Sequence, residues 1–560
     1  MTPEAADFVV VGLGTAGCVL VDRLSETGRY SVLGIEAGGA TSHPAVAVPA
    51  LIQKQPSRLN WLYPVQPDPS RDGIADPYSA GRGLGGSSAT NAMLWVRGHP
   101  LDFDGWARAG ATGWDYASVL PAFLRAEHFE DASAPLRGTE GPLSISRSRV
   151  HNPLIEAFVD AAGEAGLPVL QDYNGREQVG ASRAQVNQRR GMRHTVADAY
   201  LRRARRRRNV EVVTEAMVRR VVVEDGRCVA VEFTDGGGRV ARVAVGREAI
   251  LCAGAIGTPK LLQLSGIGPG DVLAEHGIPV AVEAPEVGAN LMEHPATSLV
   301  FEVTRRTVNQ EVTPARLARH AADFTVRGHG ALTTTANHAV AFGPPGGPGD
   351  APARPEHELV FIAFGLAPAG AGAGPAGAGR SGMLARLTAR SGGREEGRRQ
   401  VASEPLVTCT AVALHPTGRG RVTIAGPDPA TPPTITQALL GDPADAAGLT
   451  AAARFARDVV SRPALSRYVI REVTPGEAVA TDADWDRHLR AATFRLFHPA
   501  GTCRMGGPDA PLDPRLRVRG VAGLRVADAS VMPTLTSGNT QAPVVMIAER
   551  GSALILADQE

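Results

Sequence analysis

The run Asp7-Phe-Val-Val-Val11, Gly12-Leu-Gly14-Thr-Ala-Gly17 and Cys18–Leu24, then Ser31–Ile35 and Glu36, decides the fold of this 560-residue chain. A β-branched strand pattern, a glycine turn, a helical pattern, a second strand pattern and an acid follow within about 30 residues, the order of a βαβ unit. The first glycine permits the tight turn, the second lets backbone approach a pyrophosphate, and the third lets helix and sheet pack closely. The N-terminus of the helix that follows offers unpaired N–H groups and a positive dipole end to phosphates, with Thr15 and Ala16 of the turn expected at the cofactor. Glu36, beside Ala37, lies 19 residues past Gly17, the place of an acid that binds adenosine ribose hydroxyls. An acid there disfavours a 2′-phosphate and hence NADP.

This fingerprint does not choose between NAD and FAD. Its place at the start of the chain helps, and so does a second glycine-rich segment, Gly81-Arg82-Gly83-Leu-Gly-Gly86-Ser87-Ser-Ala-Thr-Asn91. Backbone so bare of side chains can lie against a flat ring or a diphosphate. Residues 40–115 hold few periodic elements and many Gly, Pro and Trp, which fits a segment wrapped around a ligand. Residues 208–250, with EDGR and TDGGGR turns, read as a β-meander. Residues 298–490 mix strands and helices with a low-complexity stretch, Ala367–Gly382, expected to be a mobile loop or linker. Whether 367–400 gates an entrance or is an inert surface loop is open from sequence. No internal repeat is visible.

Lys+Arg total 58 and Asp+Glu 57, a net charge of +1. That balance argues against nucleic acid or an anionic membrane as partner. The basic run Leu201–Arg208 reads as a solvated helix end ahead of a strand at Val210–Val213. Cys18, Cys228, Cys252, Cys409 and Cys503 form no C-x-x-C pair, so a reduced compartment is expected and a structural zinc site is not. The apolar run Phe8–Val21 is too short and glycine-broken to span a membrane, and no secretory signal is seen. The expectation is a cytoplasmic protein without a membrane span.

Five blocks together resemble the glucose–methanol–choline (GMC) oxidoreductases. They are the N-terminal fingerprint, GRGLGGSSATNAMLWVRG (81–98), GAIGTPKLLQLSGIG (254–268), FHPAGTCRMG (497–506) and VADASVMPTLTSGNTQAPVVMIAER (526–550). The resemblance implies an α/β plus α+β architecture: a discontinuous Rossmann-like FAD-binding domain (1–148, 187–297 and 496–560) and an antiparallel-sheet substrate domain (149–186 and 298–495). It implies oxidation of a small-molecule alcohol to a carbonyl by hydride transfer to flavin N5. It maps the catalytic pair onto His498 and Asn539, where other members carry a second histidine. It places Glu36 at the ribose, and Arg82, Gly83, Gly86 and Ser87 in the glycine-rich cofactor segment. Asn91, Ala92, Met93 and Leu94 belong near the flavin, with Val218 on the adenine side through its backbone. Ala253 and Gly254 open the second signature, Asp528 and Ala529 meet the ribityl–diphosphate region, and Asn539 and Thr540 approach the pyrimidine side. Some members attach FAD through a histidine where this chain has Thr90, so non-covalent FAD is expected.

The chemistry suits these residue types. An imidazole can accept the hydroxyl proton near neutral pH. An asparagine can hydrogen-bond the alcohol oxygen and cannot titrate. His294 and His415 are the nearest rivals and read as structural. A choline-type ammonium needs aromatic faces and often a carboxylate; the candidates His338, Phe342, Phe361 and Phe364 make no convincing cage, which favours a less polar primary or secondary alcohol. O2 or another carrier would reoxidise the flavin. The alternative is non-redox or tailoring chemistry on the same scaffold, as lyase, photodecarboxylase or biosynthetic-pathway enzyme.

Overall fold

The computed structural model describes residues 3–131, 133–311, 314–343, 354–365 and 404–560; the low-complexity stretch lies outside them. The strand Ala5–Val11 is buried along most of its length and pairs in parallel with Val32–Ile35 on one side and Val240–Leu251 on the other. Continuous apolar character is what a parallel strand covered on both faces requires. Leu524–Val526 pairs with Val240–Leu251, so the chain's last segment returns to its first sheet. The helix Thr15–Leu24 packs close because Gly17 has no side chain: a Cβ there would stand 1.9 Å from the Gly12 carbonyl oxygen.

Three strands of the expected meander, Met217–Glu224, Arg227–Thr234 and Val240–Leu251, are antiparallel neighbours. Val210–Val213 departs from that reading and pairs in parallel with Val32–Ile35. The helical segment Ala197–Ala204 precedes it and brings the chain back in the parallel sense. Within the basic run, Arg203 and Arg207 both reach the buried carboxylate of Asp22, with contacts of 2.9 and 3.0 Å. Those two arginines fasten the helix end to the first helix. The C-terminal helix Gln541–Ala557 is tied in the same way: buried Glu549 takes Arg23 at 2.9 Å, Arg125 at 2.8 Å and the Tyr200 hydroxyl at 2.8 Å.

A second, antiparallel sheet runs in the order 469–474, 295–303, 406–413, 357–362, 339–343 and 180–183. The chain first enters it at Gly180–Arg183 and returns to it at Pro295. Alternation along these strands sends Leu299, Phe301, Leu359, Phe361, Val407 and Cys409 into a core beneath the helices Pro153–Glu164 and Pro443–Ser461. Ser298, Val300, Val360, Ile362, Thr408 and Thr410 point the other way, into a large cavity. All five cysteines are buried free thiols. Among the described residues, no helix is long and apolar enough to cross a membrane.

Candidate active site

A cavity of about 2220 Å³ lies between the two sheets. At one end its wall is Gly12, Gly14, Thr15, Ala16, Glu36, Ala37, Val218, Ala253 and Gly254. The Thr15–Leu24 helix has no side-chain cap, so its first N–H groups remain available there. Glu36 is held by backbone alone. Its Oε2 accepts the Leu13 N–H at 2.8 Å, and its Oε1 accepts those of Gly38 and Gly83 at 2.8 and 3.1 Å. Burial raises its pKa against those three donors. Oε2 keeps acceptor capacity for one more partner.

The middle of the wall is Gly86, Ser87, Asn91, Ala92, Met93, Leu94, Asp528, Ala529 and Thr540. Gly86 crosses the fingerprint in a left-handed conformation (φ +51°), and a Cβ on it would lie 2.7 Å from the Gly14 Cα. Only glycine lets the segments 12–17 and 81–91 meet. Asp528 Oδ2 accepts the Gly254 N–H at 2.8 Å and the Thr258 hydroxyl at 2.6 Å. These walls fit FAD: bare backbone where two glycine segments meet, an uncapped helix start, and a buried acid with acceptor capacity to spare. Three residues expected at the cofactor do not line the cavity. Gly17 packs helix on sheet, the Arg82 guanidinium covers the Trp61 ring at 4.7 Å, and Gly83 spends its N–H on Glu36. The Thr90 hydroxyl turns to the Ser87 carbonyl at 3.5 Å.

At the far end His498 and Asn539 meet: Asn539 Nδ2 and His498 Nε2 are 3.0 Å apart. The other ring nitrogen, His498 Nδ1, lies 3.0 Å from His294 Nδ1, and His294 Nε2 lies 3.0 Å from the Leu414 carbonyl. The buried Glu293 carboxylate accepts the backbone N–H of both His294 (2.9 Å) and His498 (2.8 Å). Burial pushes the Glu293 carboxyl up to about 7, opposed first by the His498 N–H and then by Arg495. Burial pushes His294 down to about 4. His498 is held well below the usual histidine value, by burial first and by neighbouring His294 second. His415 stays apart from this chain, bonding the Pro355 carbonyl at 3.0 Å.

Two segments, 6–296 and 416–548, match the family described as GMC oxidoreductase. The chain belongs to the GMC oxidoreductase family. It is 36% identical to the oxygen-dependent choline dehydrogenase of Rhizobium meliloti (strain 1021), over 99% of this chain and 96% of that protein. It is 37% identical to an uncharacterised GMC-type oxidoreductase of Mycobacterium bovis, over 98% and 99%. Among solved structures, pyridoxine 4-oxidase from "Mesorbium loti" superposes with a TM-score of 0.85 at 30% identity, covering 98% of each chain. A formate oxidase of Aspergillus oryzae RIB40 superposes at 0.86 with 25% identity, covering 100% of this chain and 99% of that one. This GMC oxidoreductase is therefore an FAD enzyme.

Within this GMC oxidoreductase, the wall of the cavity away from the glycine segments carries Ser298, Thr408 and Thr410 among Val300, Ile362, Leu496, Phe364, Phe494 and Phe497. Of the four residues considered for an ammonium cage, only Phe364 lines it. Phe342 and Phe361 are core residues, the latter stacked on Phe158 at 4.6 Å, and His338 is buried against the Thr334 hydroxyl at 2.7 Å. Sequence reading does not bring Glu293 and His294 together with His498, as the fold does. An acid and a histidine ahead of a Pro-initiated strand were the available signal, but their partner lies 204 residues on.

Proposed function

We propose that this enzyme oxidises a neutral, largely apolar alcohol, with His498 as general base and Asn539 positioning the hydroxyl. One observation carries the reading: a chain of hydrogen bonds that fixes the tautomer of His498. The Leu414 carbonyl can only accept, so His294 Nε2 carries a proton. Neutral His294 then offers a lone pair at Nδ1, which must be met by a proton on His498 Nδ1. That leaves the lone pair of His498 on Nε2, at the cavity beside Asn539. The base therefore points its acceptor nitrogen at the site where a hydroxyl must sit.

When the alcohol arrives, its O–H replaces the Asn539 amide as donor to His498 Nε2. The freed Asn539 Nδ2–H then donates to the alcohol oxygen and holds it while the proton leaves. Glu293, by clamping the N–H groups of residues 294 and 498, keeps the two rings in register. FAD, when bound, supplies the acceptor for the hydride from the carbinol carbon. It is held non-covalently, since threonine at position 90 offers no ring nitrogen for attachment.

The substrate wall supports a neutral molecule. Among the described residues, the carboxylate on that side, Glu311, already pairs with His320 at 3.0 Å and Arg316 at 3.4 Å. A quaternary ammonium would meet the rings of Phe364, Phe494 and Phe497 on that wall but, among the described residues, no carboxylate there that is not already paired. Anaerobic rapid mixing with aliphatic alcohols, aryl alcohols and choline, following flavin bleaching, tests this. Neutral alcohols should bleach the flavin faster than choline. His498→Ala should slow bleaching by about 10²–10⁴-fold with FAD retained. An alanine variant as fast as wild type, or choline as the best donor, overturns the reading.

A further inference from the structure

Arg193, in the strand Met192–Arg193, is buried, and among the described residues no carboxylate pairs with it. Its Nε donates to the Val46 carbonyl at 3.0 Å, and its Nη1 donates to the Ser88 carbonyl at 3.3 Å and to Asn91 Oδ1 at 2.9 Å. All three acceptors are neutral, and among the described residues Nη2 has no partner. A buried cation without a counter-charge is strongly disfavoured, and burial draws even this guanidinium down to about 9. Such a charge calls for an anion nearby.

The contacts of Asn91 lead from that charge to the cavity wall. Its Oδ1 is taken by Arg193 and by the Met93 N–H at 3.0 Å, so its amide NH2 must face away from the arginine. That NH2 donates to Gln541 Oε1, which leaves the buried Nε2 of Gln541 without a partner at the cavity wall. Gln541 is also the first residue of the 17-residue helix Gln541–Ala557, which has no side-chain cap. The N–H groups of residues 541 and 542 have no partner within that helix, and its dipole places positive charge at the same point. A cation, two polarised amides and a helix start thus converge on one stretch of wall, next to Asn539.

We propose that Arg193, acting through Asn91 and Gln541 together with this helix N-terminus, forms an electropositive corner that favours negative charge on the flavin ring. It thereby raises the flavin's two-electron potential. Arg193 is a positioning residue here: it touches neither substrate nor cofactor, and polarises the groups that line the cavity. The proposal rests on the ring lying beside Asn91 and Asn539, and not on alcohol being the substrate.

The test is the two-electron midpoint potential of the FAD-loaded protein, measured by dye-equilibrated photoreduction without any alcohol. Arg193→Met should lower the potential by at least about 30 mV, tenfold in the equilibrium constant. Arg193→Lys, which keeps a cation, should lie between Met and wild type. Gln541→Leu, which removes only the last donor, should shift the potential in the same direction by a smaller amount. If both Arg193→Met and Gln541→Leu stay within twofold of wild type, the arginine merely fastens Val46 and Ser88 to the fold. A fall with Arg193→Met alone overturns the relay. Should Arg193→Met not yield holoprotein, Gln541→Leu decides. Failure to oxidise any alcohol would sink the proposed function and leave these potentials readable.

Discussion

The two ends of the cavity are built by different means. The nucleotide end is made of main chain: glycines that meet without side chains, an uncapped helix start, and Glu36 held by three backbone N–H groups. The end proposed to act on the alcohol is made of side chains from distant segments, His294, His498 and Asn539, bonded in series to the Leu414 carbonyl. A main-chain site tolerates almost no added atom yet asks little of side-chain chemistry. A side-chain relay survives small changes of volume, and fails when one donor or acceptor is lost.

Gly17→Ala is the strongest way to break this contrast. The added methyl would meet the Gly12 carbonyl oxygen at 1.9 Å, a main-chain atom that cannot swing aside as a side chain could, so helix and turn must part. We expect a cost near the top of the overpacking range, about 3 kcal/mol, and protein that purifies without its flavin absorbance. Full FAD content with unchanged thermal stability would show that the turn is less tightly built than described.

His294→Leu tests the other end. It leaves His498 Nδ1–H buried without an acceptor, a loss of about 1–3 kcal/mol, or roughly ten- to hundredfold in kcat/KM, with FAD still bound. The pH profile separates this from mere loosening. The unprotonated base is present above its pKa, so activity is lost as pH falls through a value well below 6.5. Removing His294 removes one of the two effects that hold His498 down, and the acid limb should move upward toward 6.5. A slower enzyme with an unmoved limb would make His294 a packing residue only.

A second buried acid, Glu358, contrasts with Glu36. Among the described residues neither of its oxygens has a partner, and burial raises its pKa to about 8. A carboxyl whose folded pKa exceeds its unfolded one stabilises at low pH, and that contribution is lost as pH rises from 4.5 through about 8. The slope is at most about 1.4 kcal/mol per pH unit. Glu358→Gln should flatten it, seen as a smaller difference in urea unfolding between pH 6 and pH 8 than wild type shows. An unchanged difference would mean that the carboxyl reaches water or a partner.

How much of this was legible follows the same division. The glycines at 12, 14 and 17, their spacing and the acid at 36 are local requirements, so the first sheet and its ligand class could be read directly. The expected meander failed at Val210–Val213 because partner choice depends on the preceding helical segment, which sequence alternation does not record. Among the proposed site residues, His498 and Asn539 were singled out through the blocks that contain them. His294 reads as structural from sequence, and His338, Phe342 and Phe361 offer rings for an ammonium pocket that the fold does not let them line.

The amino-acid sequence alone determined the family, the dinucleotide fold and the chemistry of the two residues proposed to act on the hydroxyl, because glycine spacing and residue type are properties of the chain. The fold, by contrast, sets which nitrogen of His498 faces the cavity, which arginine reaches Asn91, and which faces of the second sheet meet the cavity. Those depend on hydrogen bonds between segments a hundred or more residues apart, and a donor becomes an acceptor's partner only when folding brings the two within about 3 Å.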